Sequence, residues 1–231
     1  MVHVLTDGSG SDGAPRISST SALLDDAGAI RGSIYGRVSD RDIYAAILAG
    51  QHAHFVALAQ ELADSLVQQE AEVVAGDAVE GFNPSHDVCR YVINTAVRLA
   101  SAQSGRTIAC YAFPLEGAPH TSPDARPTQA VQVTLDDEEL EQKLRAAHAY
   151  AELRSEVERT LGRYGTELFR SEYLWPVDLS DPYGWDPAHI PYYESYGAER
   201  VASGAYEQVV TFRDHVKPIA DALYSRCAIT A

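Results

Sequence analysis

The sequence predicts an open α/β fold, with a largely parallel, Rossmann-like sheet flanked by helices, and three observations carry that expectation. β-prone runs alternate with stretches of helical periodicity in the order β-α-α-β-α-β-β-α. Gly-rich turns follow strands, as they do where an open α/β sheet presents its ligand crevice. A chain of 231 residues, 45% of them hydrophobic, is enough for one domain with a substantial core.

The first strand is a short run holding Val2, Val4 and Leu5, broken by Asp7-Gly8-Ser9-Gly10-Ser11-Asp12-Gly13. A helix is expected from Ser18 to Ala27, capped by Ser18 or Ser19 and ended by Gly28. Residues 29–42, with Gly32, Gly36 and several charges, read as loop. Ile43 to Ala49 reads as a short helix, and His54 to Gln69 as a longer one with Phe55, Leu58, Ala59, Leu62 and Leu66 on one face. Val73-Val74-Ala75-Gly76-Asp77 reads as a buried strand ending on an acid. The turn Glu80 to Ser85 leads into a helix with Asn83 or Ser85 as N-cap and Pro84 in its first turn. Thr107 to Phe113 is a third strand, residues 114–128 a proline-rich loop, and Gln129 to Leu135 an alternating strand. Asp136 to Arg163 is a charged helical region with one break. Residues 174–198, rich in Pro, Tyr, Trp and Gly, read as irregular, and a last helix spans about Glu207 to Leu223. The expected division is an α/β domain over 1–172 and a C-terminal extension over 173–231, packed on the same domain.

Charge and cysteine usage narrow the function. The formal net charge of −15 argues against a nucleic-acid or anionic-membrane partner, since both require a basic face. Three scattered cysteines, Cys89, Cys110 and Cys227, form neither a disulfide framework nor a CxxC zinc pair, and imply reduced thiols in a cytoplasmic protein. No apolar run is long enough to span a bilayer. No GxSxG elbow is present, which disfavours a serine hydrolase.

The segment Asp77-x-x-Glu80-Gly81-Phe82-Asn83-Pro84-Ser85-His86-Asp87 concentrates the chemistry, because it brings acids and a histidine to a strand-to-helix junction. His86 falls in the first helical turn, where the macrodipole favours the neutral, metal-binding ring. Arg90, one turn on, is placed to pair with Asp87 or a substrate anion. Asp7 ends the first strand in the same manner that Asp77 ends the next. A capped helix start with a surface histidine is the plain alternative.

These residues resemble the PIG-L/LmbE-like deacetylases, which remove acetyl groups from N-acetylglucosamine-type sugars. Thr6-Asp7-Gly8 followed by Arg16 is similar to that family's T-D-G turn and helix-start arginine, and Gly81-Phe82-Asn83-Pro84-Ser85-His86 is similar to the segment ending on its zinc histidine. Lys143 to Tyr150 and Gly165-Thr166-Glu167-Leu168-Phe169-Arg170 are similar to later family segments, so the resemblance spans roughly residues 2–172. It implies an LmbE-like fold, a zinc cofactor held through His86, and hydrolysis of an N-acyl, chiefly acetyl, group on a sugar-like small molecule. Asp7 and Asp77 would orient water or substrate, while Arg16, Glu80, Asn83, Asp87 and Arg90 would bind substrate. The family's A-H-P-D-D segment, source of two zinc ligands and the general base, has no counterpart in this sequence, and H-P-D-H has become Asn83-Pro84-Ser85-His86. Three expectations follow: a start further upstream, a non-catalytic carbohydrate- or metabolite-binding protein that has lost zinc, or a site rebuilt from Asp7, Asp77, Glu80 and Asp87 around His86. An unpaired sheet edge would favour a partner or a second copy covering it.

Overall fold

The computed structural model describes residues 1–10, 13–118, 120, 130–186 and 188–227, and shows a mixed α/β protein. Its strands form two sheets where the sequence predicts one. β1 (Val2–Thr6) pairs in parallel with β2 (Arg31–Val38) across α1 (Ile17–Asp26). β3 (Val73–Asp77) pairs in parallel with β4 (Ala109–Phe113) across α4 (Pro84–Ser104). β4 then pairs antiparallel with β6 (Ser171–Pro176), which carries β5 (Val131–Thr134) on its far side, giving the order β3-β4-β6-β5. The largely parallel expectation therefore holds for the two crossover units and fails at β5 and β6, where the chain returns antiparallel.

β2 lies where the sequence reads as loop, and its glycines explain why. A Cβ at Gly32 would stand 2.4 Å from the His3 ring, and one at Gly36 2.6 Å from Ile17. Both positions mark close approach of a neighbour to strand backbone, one of the reasons glycine occurs inside strands. Gly36 also takes a φ of 56°, and the β1–β2 register shifts along the pair.

The core is helical. α2 (Asp40–Leu48) and α3 (His52–Gln68) bury Ile43, Ile47, Phe55, Leu58, Ala59 and Leu62. α3 lies along α4, whose Val88, Val92, Ala96, Leu99 and Ala100 are buried as the helical spacing predicts. α8 (Lys217–Arg226), preceded by a π-turn at Phe212–Val216, packs on both helices and buries Ile219, Ala220 and Leu223. The segment beyond residue 172 is therefore part of the same core, and β6 itself crosses that boundary. Within the tail expected to be irregular, Tyr192–Ala202 forms α7. The charged region divides as expected, into α5 (Asp137–Ala149) with an Asp136–Glu139 capping box and α6 (Arg154–Tyr164), separated by a short 3-10 turn. The proline-rich loop expected over 114–128 falls mostly outside the described residues.

β3 is not fully buried. Through the register, Val73, Tyr111, Leu174 and Val131 share one face of the four-stranded sheet, and Val74, Cys110 and Trp175 share the other. α4 covers the second face, with Ile93 and Arg90 against Gly76. On the first face Val73 and Val131 remain 59% and 44% exposed. A strand that packs on one side only alternates in burial, hence the departure from a uniformly buried run.

If α8 belongs to the same cooperative core, Leu223→Ala costs about 2–5 kcal/mol of stability. The loss is expected within a single unfolding transition in urea, read by circular dichroism. A separate early transition in the variant would show instead that the C-terminal segment folds as its own unit.

Candidate functional site

The C-terminal end of β3 and the N-terminal end of α4 build the site. Asn83 caps α4: its Oδ1 accepts from Ser85 N at 2.9 Å and from Ser85 Oγ at 2.8 Å, and Pro84 occupies the first turn. Tyr44 of α2 donates to the same Oδ1 at 3.0 Å, tying the cap to the first sheet's connection. Asn83 thus spends its carbonyl oxygen on capping, in place of the substrate contact expected for it.

His86 sits in the first turn of α4 and meets Asp77 at the end of β3, with Nδ1 to Oδ2 2.6 Å. A carboxylate on one imidazole nitrogen fixes the ring's orientation and leaves the other nitrogen to act. Burial pushes the imidazole's pKa down, and the Asp77 carboxylate, through its hydrogen bond and charge, pushes it up further, so the net shift is upward. The macrodipole, expected to favour the neutral ring, is thus opposed by a direct charge-assisted hydrogen bond, larger than a helix-end effect of about 0.3–1 kcal/mol.

Arg90, one turn after His86, is 2% exposed and does not face a ligand. Its Nε donates to the Asp77 carbonyl, and its Nη2 to the Tyr111 carbonyl at 3.1 Å. The guanidinium therefore holds the ends of β3 and β4 together, where the sequence reading gave it a substrate anion.

Two acids in this segment hold main chain. Asp87 is 2% exposed, and its Oδ1 accepts from the backbone N–H of Glu80 at 3.0 Å and of Gly81 at 3.3 Å. Burial pushes its carboxyl up to about 7, with those two amides opposing the shift. The Glu80 carboxylate accepts from Leu115 N at 3.0 Å and Glu116 N at 3.1 Å, clamping the loop after β4 onto the turn after β3. Burial raises its pKa as well. Both were expected to bind substrate, and both instead shape the wall.

Between these elements lies a cavity of about 100 Å³, lined by Glu80, Phe82, Asn83, His86, Asp87, Leu115 and Glu116. Asp7 and Arg16 do not line it. Asp7 ends β1 with its Oδ1 accepting from Ser9 N at 3.0 Å, and Arg16 lies over Gly8 and Gly10. Burial raises the Asp7 carboxyl, and the hydroxyl and amide of Ser9 lower it more, so it is held below its ordinary value. Sequence reasoning missed Tyr44, Leu115 and Glu116. A tyrosine on the preceding helix and a loop after the next strand give no local signal, because only the fold brings them here.

A structural or catalytic zinc takes about three protein ligands. His86 and Asp77 are two donors; Asp87 and Glu80 are committed to backbone amides. Among the described residues no group of three His, Cys, Asp or Glu side chains is placed to hold a metal ion. The described donor set does not fit a zinc ion. No described helix is long and apolar enough to cross a membrane. Comparisons with protein-family models, curated proteins and solved structures found no match.

The shifts set a pH dependence. His86, with its folded pKa raised, contributes stability that is complete below its unfolded value of about 6.5 and is lost as pH rises through the folded value. Asp87, a carboxyl raised to about 7, likewise loses stability as pH climbs from its unfolded value of about 4. Urea unfolding from pH 4.5 to 8.5 is expected to show wild-type stability falling, with a flatter curve for Asp87→Asn. In NMR titration the His86 ring should have its midpoint above the ordinary histidine value, and Asp77→Asn should lower it. A midpoint unmoved by Asp77→Asn would break the dyad.

Proposed function

We propose that this cleft hydrolyses an N-acyl group, chiefly acetyl, on a sugar-like small molecule, with His86 and Asp77 as its proton-transfer dyad. One observation carries the reading: a histidine bonded through Nδ1 to a strand-end aspartate, lining a cavity that opens at a strand-to-helix junction. The parallel β1-α1-β2 and β3-α4-β4 units support an LmbE-like, Rossmann-like arrangement behind it. Cys89, Cys110 and Cys227, none of them in a disulfide, fit a cytoplasmic setting.

In this reading the amide lies in the cavity with its carbonyl carbon before a water. His86 Nε2 takes a proton from that water as the oxygen attacks the carbonyl carbon, and Asp77 stabilises the imidazolium that forms. The imidazolium returns the proton to the departing nitrogen as the C–N bond breaks. The products are a carboxylic acid and an amine, and the acid's proton passes to the amine to leave carboxylate and ammonium. Asp87 and Glu80 keep the turn and the facing loop in place, and Arg90 keeps Asp77 at the strand end.

The two-donor set favours a second reading: a carbohydrate- or metabolite-binding protein without hydrolytic chemistry, whose partner or second copy covers the exposed sheet face. Assays on N-acetyl sugars separate the two. The hydrolase reading expects amine release whose rate rises with pH through the His86 titration, since the neutral ring is the base. His86→Ala and Asp77→Asn should each lower kcat by about 10²–10⁴-fold. Elemental analysis of protein purified without chelators accompanies the assay. Zinc bound near one per chain, and lost in His86→Ala, would return the metal to the mechanism. No turnover with or without added zinc would leave the binding protein.

A further inference from the structure

We infer that the aromatic side chains beside the cavity form a stacking subsite for a neutral pyranose ring, so that the ligand extends out of the cavity along α7. This rests on the N-acyl sugar reading above. Cavities that hold small ligands usually measure roughly 300–1,000 Å³. This one measures about 100 Å³. It takes an acylamido group and leaves the ring that bears it outside.

What lies outside is aromatic. Phe82, on the cavity wall, stacks on Tyr192 with ring centroids 5.1 Å apart and planes 8° from parallel. Tyr192 continues onto Tyr196 at 5.9 Å and 25°. The three side chains form an offset staircase, yet they stay 44%, 53% and 41% exposed, unlike rings that close a core. The staircase is fixed to the cavity rim. Tyr193 N donates to the Gly81 carbonyl at 3.2 Å, and Trp185 packs on Gly81, where a Cβ would stand 2.6 Å from its ring. Gly81 holds a φ of 62°, so glycine serves that turn twice over. Its shape is therefore set before a ligand arrives, which lowers the ordering cost of binding.

The chemistry selects the class. Stacked rings offer apolar faces to the C–H face of a sugar, and the Glu116 carboxylate on the adjoining rim is an acceptor for its hydroxyls. The acidic lining and the net charge of −15 disfavour phosphates and other anions. A neutral polyhydroxylated ring satisfies both surfaces.

The test is titration calorimetry with the β-1,4-linked trisaccharide of N-acetylglucosamine, with adenosine as a flat neutral control. The trisaccharide should bind wild type, and Tyr192→Ala and Tyr196→Ala should each weaken it roughly tenfold. Tyr192→Phe keeps the ring and should hold Kd within about twofold of wild type. Binding that depends on Tyr192 in a protein that never turns over the sugar would sustain the subsite while removing the hydrolase reading. Unchanged Kd in both tyrosine-to-alanine variants would overturn the subsite even if turnover is observed. Tyr192-dependent binding of adenosine without binding of the trisaccharide would overturn the sugar assignment.

Discussion

The buried guanidinium of Arg90 is the constraint on which the site depends. A charge with almost no solvent contact must be satisfied by the protein, and here the last carbonyl of β3 and the Tyr111 carbonyl of β4 satisfy it. The contact joins two neighbouring parallel strands to the helix that connects them. His86 lies four residues earlier on that helix, so both side chains reach the same strand end: Arg90 takes the Asp77 main chain and His86 takes its carboxylate. The arginine fixes where the aspartate stands, and the histidine uses it. Gly76 is part of the device, since a Cβ there would stand 3.2 Å from the guanidinium and 2.6 Å from Ile93.

The acids around this point divide by what they hold. Asp87 gathers the amides of Glu80 and Gly81, and Glu80 gathers those of Leu115 and Glu116, so carboxylates replace the hydrogen bonds that two irregular turns would otherwise lack. The consequence is electrostatic as well as structural. Asp87 and Glu80 both add to the negative field at His86, along with Asp77, and together they offset the burial that would keep the ring neutral. Residues that line the wall thereby tune the His86 ring.

Much of this was legible in the sequence, and the limits are physical. β3, α4 and the Asn83–Pro84 helix start follow from local chemistry: an apolar run, a capping side chain and a proline that fits the first turn. The break near residue 150 follows from the end of the capped helix that Asp136 begins. β2 escaped because Gly32 and Gly36 carry the signature of a turn, while their cause is a histidine and an isoleucine packed against the strand from elsewhere. The roles of Asp87, Glu80 and Arg90 escaped for a related reason. The residue types mark a polar junction, but whether a carboxylate meets a ligand or a folded-over amide depends on loops distant in sequence, such as the one at Leu115. Asp7 ends its strand as Asp77 does, yet its carboxylate caps its own turn at Ser9, and no histidine meets it.

The placement of the dyad at a helix start sets two opposed forces on one ring. The first turn of α4 carries the positive end of a 21-residue helix, which disfavours imidazolium, while Asp77 at 2.6 Å favours it. Pairing wins, and the net shift of the ring is upward. The small cavity then completes the logic. It measures about 100 Å³, and the exposed rings of Phe82, Tyr192 and Tyr196 stand in a row beside it. Two kinds of surface thus meet in one place: a polar network at the strand ends, built on Arg90, Asp77 and His86, and an aromatic row at the edge of the cavity.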